Sequence, residues 1–233
     1  GIFPVPGLTE RFPEALRNRD FGPAGGHPLG FDTSGRDLTA KVVYGTRASM
    51  IVSVLAVSIG LVVGGTLGLV AGYFRGKVDT VITNFFNVGL AIPQLVLALT
   101  LAAVYASEAG ASYSRRVTVV TFAIGLASIP LLGRITRANT LTWANREFVL
   151  AARTIGAKTP RILVREVLPN VAPAMFSIAL LGIAVAIVVE GGLALLGVGI
   201  PADITSPSWG NLIATGRSQM LLGEAGQVVV ASA

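Results

Sequence analysis

The chain has 233 residues, 52% of them hydrophobic and only 13% charged, with a mean hydropathy of +0.71. A soluble domain is about 25% charged, so long stretches here carry no charge; that excludes a disordered chain and makes lipid the expected solvent for much of it. Zero cysteines exclude disulfide frameworks and thiolate chemistry, and the net charge of +6 points either to nucleic acid or to membrane orientation, depending on where the charges sit.

Residues 1–47 are polar, with six bases and five acids, and read as one N-terminal segment. Ala48–Phe74 then runs 27 residues without a charge. At 1.5 Å per residue that is about 40 Å of helix, enough to cross a core of about 30 Å. Its glycines Gly60, Gly64, Gly68 and Gly72 stand four apart on one helix face, where small residues let another backbone approach. The stripe serves ordinary packing or a moving interface. A short charged turn, Arg75–Asp79, leads to a second uncharged run of 28 residues, Thr80–Ser107, interrupted by Pro93.

A third run of 17 residues, Val117–Gly133, has Pro130 near its end, and a fourth, Ala174–Val189, stops at Glu190. Four spans follow, at about 48–74, 80–107, 117–133 and 174–189, in an all-α polytopic membrane fold. Pro93 and Pro130 are gate hinges or simply prolines whose freed carbonyls neighbours satisfy. Glu190, an ionisable group beside the membrane, is a candidate for the gate or pathway, or reaches interfacial water.

Between the third and fourth runs, from Arg134 to Glu166, lie seven bases and two acids, net +5 of the chain's +6. The positive-inside rule makes this loop cytoplasmic, the Arg75/Lys77 turn inside and residues 1–47 outside. Arg115 and Arg116, outside, run mildly against it. Within the loop, Asn145 is a plausible N-cap and Gly156 a plausible left-handed C′ residue. They bracket a helix of about three turns, with Phe148, Ala152 and Ile155 on one face and Ala151 beside it. Thr159 reads as a second N-cap with Pro160 following, and the second helix is expected to end near Leu168, before Pro169. The product is a helical hairpin on the inner face whose small residues Ala151, Ala152 and Gly156 let it seat in a partner's groove.

Glu147, Ala151, Ala152, Gly156, Ile162, Leu168 and Pro169 together resemble the EAA loop of ABC importer permeases, with the acid four residues before Ala151 rather than adjacent. Two further segments resemble the C-type subunit of the dipeptide, oligopeptide and nickel branch. One runs from His27 through Asp32, Arg36 and Asp37 to Tyr44-Gly45-Thr46-Arg47-Ala48-Ser49, with Phe31 where that branch usually has Thr. The other is Leu195–Gly199 followed by Ser206-Pro207-Ser208-Trp209-Gly210. The likeness covers most of residues 27–217.

The resemblance implies a type I transmembrane permease domain over residues 48–233, with a cytoplasmic coupling loop at 134–170 and an outer loop at 191–217. It implies a heterodimer with a B-type permease, two ABC ATPase subunits docked on the coupling loop, and an extracytoplasmic substrate-binding protein, all in a prokaryotic plasma membrane. Dipeptides or oligopeptides are the implied cargo, nickel the other family substrate. Members of the branch have six spans, so a further span is expected at each end. Asp32, Arg36 and Asp37 contact the binding protein or pair locally to fix an elbow, and His27 reads as a loop residue.

The sequence carries no enzyme site of its own. Gly72-Tyr-Phe-Arg-Gly76-Lys77-Val78 has the wrong spacing for a P-loop and ends in Val. No cofactor is expected in this chain, because ATP and Mg belong to the partner ATPases. Nucleic acid is not an expected partner, since the basic loop lacks interleaved aromatics and lies between two spans. The other readings are an ion-coupled secondary transporter, for which only Glu190 lies near the membrane while Asp79 belongs to a turn, and a membrane scaffold without transport.

Overall fold

A computed structural model describes residues 7, 9–18, 22–23, 25–106, 112–200 and 207–221. The described residues are helical apart from short turns and one isolated bridge between Phe31 and Asp37. After a short α1 (Pro13–Asn18) come α2 (Leu38–Phe74), α3 (Gly76–Ala91), α4 (Gln94–Ala106) and α5 (Tyr113–Trp143). The hairpin is α6 (Glu147–Thr154) and α7 (Thr159–Ile162), followed by a π turn (Leu163–Val167), α8 (Leu168–Leu195) and α9 (Trp209–Leu221).

Among the described residues, three helical stretches are long and apolar enough to cross a membrane: Leu38–Phe74, Tyr113–Trp143 and Thr159–Leu195. Each is longer than the uncharged run that predicted it, because main-chain hydrogen bonding continues past the point where side chains become charged. The helix over the first run starts at Leu38, so no break falls at residue 47. The run 80–107 is not one straight helix. It is α3 and α4, bent by 84° at the break, with Ile92 extended (ψ 126°) before Pro93. A residue before proline is pushed out of the helical region, which ends α3 there. At roughly 24 and 20 Å neither half spans the core alone. Pro130, in contrast, sits inside an unbroken α5 and is buried. The expected outer loop 191–217 also shrinks: α8 continues to Leu195 and α9 begins at Trp209.

The chain forms two compact units. One draws on Ser53–Val104 and Thr121–Ala186; the other on Gly1–Val52, Tyr105–Val120 and Ile187–Ala233. In the first, α2 lies against α5 along the glycine stripe. A Cβ on Gly60 would meet Ser128; on Gly64 it would stand 2.5 Å from the Ile129 carbonyl. On Gly68 it would strike the Gly133 carbonyl, and on Gly72 it would lie 2.7 Å from Thr140 Cβ. The register climbs together on both helices, so they run parallel. Gly65 faces Met175 and Gly182 faces Val57, so α8 runs antiparallel to α2. On α3, Asp79 pairs with Arg137, Phe86 fills the space beside Gly133, and Gly89 faces Pro130, so α3 runs antiparallel to α5. These relative directions are those that alternating crossings demand. Outward faces stay apolar: Val81, Val88, Leu180 and Val188 are each about 70% exposed, as contact with lipid requires.

Gly64→Ala and Gly68→Ala are expected to destabilise the protein by about 1–3 kcal/mol or more, because the opposing atoms are backbone and cannot yield. Gly191→Ala, with only Ile213 at 3.9 Å, is expected to be neutral or mildly stabilising. Thermal unfolding in detergent compares them.

Candidate functional site: the helical hairpin and its supports

The hairpin begins where α5 ends. Asn145 is not the N-cap of α6. Its side-chain amide donates to the Leu141 carbonyl (2.8 Å) and so closes α5, while its Oδ1 accepts from Arg75 Nη2. Arg146 occupies the N-cap position without a side-chain bond. The far end of α6 is as the sequence predicts. Gly156 has φ +81°, its N–H donates to Arg153 O (3.0 Å), and Ala157 N–H donates to Ala152 O (3.0 Å). That is a Schellman ending, which a Cβ-free residue adopts at least cost. Thr159 lies one residue inside α7, with Lys158 in the cap position.

The face shared by Phe148, Ala152 and Ile155 is not buried as a whole. Val149 and Ala152 point inward, at 0% and 9% exposure, while Phe148, Ala151 and Ile155 are exposed, Ile155 at 85%. Val149 and Ala152 form a core with Ile162, Val167 and Val171 that packs on Leu69 and Tyr73 of α2, Trp143 of α5 and Met175 of α8. These partners explain which side is buried: the hairpin folds onto the helix ends, so the face that meets them is fixed by where α2 and α8 stand. Two cations brace the seam, Arg153 over the Tyr73 ring (4.9 Å) and Arg146 over Trp143 (5.5 Å). Glu147, Gly156 and Pro169 are exposed, Leu168 is half-buried, and Ile162 is buried.

The second helix does not stop before Pro169. It continues from Thr159 to Leu195 by way of the π turn, in which Leu168 N–H donates to Leu163 O. Proline in a helix normally clashes with the carbonyl four residues back. The widened turn just ahead of Pro169 gives room for the ring, and the Asn170 side chain takes the Glu166 carbonyl (2.6 Å). The hairpin and the fourth span are therefore one mechanical piece.

Beside the hairpin, α2 passes to α3 through a single residue. Arg75 has φ +55°, a left-handed value costing a non-glycine residue about 1–3 kcal/mol. Its bond to Asn145 helps hold it there. Asp79 lies in the first turn of α3 rather than in a loop. Arg137 grips it with two donors, Nε to Oδ1 and Nη2 to Oδ2 (2.6 Å), and Thr83 adds a third bond (3.1 Å). Sequence reasoning passed over this pair; the available signal was that an acid is rare between Ala48 and Arg146.

In the other unit, Asp32, Arg36 and Asp37 lie in one locally bonded turn. The Asp32 carboxylate accepts Ser34 N–H and Arg36 N–H (both 2.8 Å) and pairs with Lys41; Asp37 accepts Thr39 N–H (2.8 Å) and bonds His27 Nδ1 (3.0 Å). Both carboxylates are buried. Glu190 lies inside α8, fully buried. Ser208 donates to its Oε1 (2.9 Å), and a Cβ on Gly210 would fall 2.8 Å from both oxygens. Ser208 also caps α9 through Asn211 N–H (3.2 Å). Next to it, Trp209 N–H donates to Ser49 Oγ (3.0 Å) and its indole to Val42 O (3.1 Å), with the ring 3.2 Å from where a Gly45 Cβ would stand. The Tyr44–Ser49 and Pro207–Gly210 segments thus form one knot. No cluster of metal-ligating side chains occurs among the described residues.

A family model described as the binding-protein-dependent transport system inner membrane component matches residues 64–232. The chain is 34% identical over 200 residues to the dipeptide transport system permease protein DppC of Alkalihalophilus pseudofirmus, covering 86% of this chain and 62% of the relative. It is 32% identical over 201 residues to the glutathione transport system permease protein GsiD of Pectobacterium atrosepticum, covering 86% and 64%. With the di/tripeptide transport system permease protein DppC of Pseudomonas aeruginosa it shares 34% over 189 residues, 81% and 59% of the two chains. The chain thus spans about three-fifths of the length of these curated relatives. A crystal structure of an amino acid ABC transporter with histidines superposes with a TM-score of 0.54 at 17% identity, over 83% of this chain and 85% of that one, a likeness of fold.

Ile162→Ala, in the hairpin core, is expected to cost about 2–5 kcal/mol, and Val164→Ala, 60% exposed, less than about 0.5 kcal/mol; melting of the two variants in the same detergent checks this.

Proposed function

The chain belongs to the family of binding-protein-dependent transport system inner membrane components, and from that premise we propose that it is one permease subunit of an ATP-driven importer of dipeptides or oligopeptides. In this reading a B-type permease completes the translocation path. A binding protein delivers cargo outside, two ATPase subunits dock inside on the hairpin, and the membrane is the plasma membrane of a prokaryote. The chain itself supplies no chemistry and holds no cofactor; ATP and Mg are bound by the ATPases.

The observation that carries this reading is the two-faced hairpin. One face, Val149, Ala152 and Ile162, is buried against the helix ends, and the other leaves Leu150, Ala151, Thr154 and Ile155 exposed. A soluble partner's groove accounts for an exposed apolar tip such as Ile155 beyond the end of a membrane span. Exposed cations surround it: Arg146, Arg153, Lys158, Arg161 and Arg165. They suit both a cytoplasmic position and a groove with acidic edges. Because the inner face of the hairpin is continuous with α8 and packed on α2, a partner that moves the tip moves whole helices, as alternating access requires. The dipeptide assignment leans on the names of the relatives; glutathione, a tripeptide, is within the same size class.

Ile155→Asp and Gly156→Asp are expected to abolish ATPase binding to the assembled permease while leaving its melting temperature within a few degrees, whereas Val149→Asp unfolds the hairpin. Pull-down of the ATPase with each variant tests this. Full binding by Ile155→Asp sinks the docking assignment, and uptake that persists without ATP hydrolysis favours an ion-coupled transporter instead.

A further inference from the structure

The import reading leaves Asp79, Arg137, Arg75 and Asn145 without a role. Asp79 and Arg137 are only 17% and 26% exposed, and each is the other's charge partner. They join the first turn of α3 to α5. Arg75 and Asn145 join the α2–α3 connection to the residue that closes α5 and opens the hairpin. Farther along α3, Phe86 against Gly133 and Gly89 against Pro130 continue the same seam, and Gly89 lies three residues before the break at Ile92–Pro93. So α3 is fastened to α5 from its first turn almost to the point where the span bends.

We propose that Asp79–Arg137 and Arg75–Asn145 are positioning pairs that make the first half of the broken span move with the hairpin, delivering its displacement to the Pro93 break. This rests on the import reading. A hairpin pushed by a partner is already rigid with α2 and α8 through its core. Without these pairs α3 is held at that end by one strained residue and by small-to-large contacts that can slide. A bidentate ion pair at a low-dielectric boundary resists sliding, since separation strands both charges.

The test uses the complete importer, with both permeases, ATPases and binding protein, in proteoliposomes. Asp79→Asn and Asn145→Ala are expected to keep ATPase binding and hydrolysis but to lower uptake per ATP about fivefold or more, the scale of an ordinary coupling free energy. The swap of Asp79→Arg with Arg137→Asp is expected to recover part of the loss. These 233 residues contain no cysteine, so with any cysteines elsewhere in the complex replaced, spin labels on Arg165→Cys and Val88→Cys report the hairpin and α3 alone. Their separation is expected to stay fixed between nucleotide states, and to change once Asp79→Asn is added. Wild-type uptake per ATP in both single variants, or a label separation indifferent to Asp79→Asn, overturns the relay. ATP-independent uptake by the unmodified complex instead overturns the import reading beneath it.

Discussion

Backbone contact between α2 and α5 is the constraint on which the rest depends. Inside lipid, helices gain nothing by hiding apolar surface from water, so association rests on close packing. Gly60, Gly64, Gly68 and Gly72 let α2 lie directly on the main chain of α5 from Ser128 to Thr140. That approach sets the register of both helices. It also decides which other faces remain for α3, which takes the Pro130–Arg137 side of α5, and for α8, which meets α2 at Val57 and Gly65. The stripe is thus the frame against which the hairpin is positioned.

The hairpin closes that frame at the ends of its helices. Its buried residues come from three places in the chain: α6, the α7–π segment and the start of α8, all closing on Leu69, Tyr73 and Trp143. Two devices make this geometry possible. Gly156 reverses the chain in a left-handed conformation, and the π turn lets the helix carry Pro169 without ending. Tip and span form one continuous piece as a result, with an exposed apolar end at Ile155.

The other unit assigns the recognisable segments a structural task. Glu190, Ser208, Trp209, Ser49 and Gly45 interlock α2, α8 and the N-terminus of α9. The Ser208 hydroxyl donates to Oε1 of the buried Glu190 at the N-terminus of α9, where the helix dipole favours negative charge, while Oε2 has no hydrogen-bond partner among the described residues. Glu190 thereby ties α8 to the start of α9. The buried Asp32 and Asp37 turn, with His27 between Phe12 and Phe31, is the same kind of local knot.

The sequence by itself determined the solvent, the class of fold, the approximate positions of the apolar runs, the glycine face of the first span and the left-handed end of α6 at Gly156. Each depends on composition or on residues a few positions apart, where helix geometry dictates which side chains share a face. The tertiary structure alone decided which face of α6 is buried, because that depends on where Leu69, Tyr73 and Met175 stand. It also decided that Pro93 breaks a span while Pro130 does not. Both rings remove a hydrogen bond, but Pro130 is backed by Gly89 within a packed helix pair. It continued the fourth helix through Pro169 and paired Asp79 with Arg137, 58 residues away. Short-range rules do not reach such distances: those outcomes are fixed by contacts that exist only once α2, α3, α5 and α8 have come together.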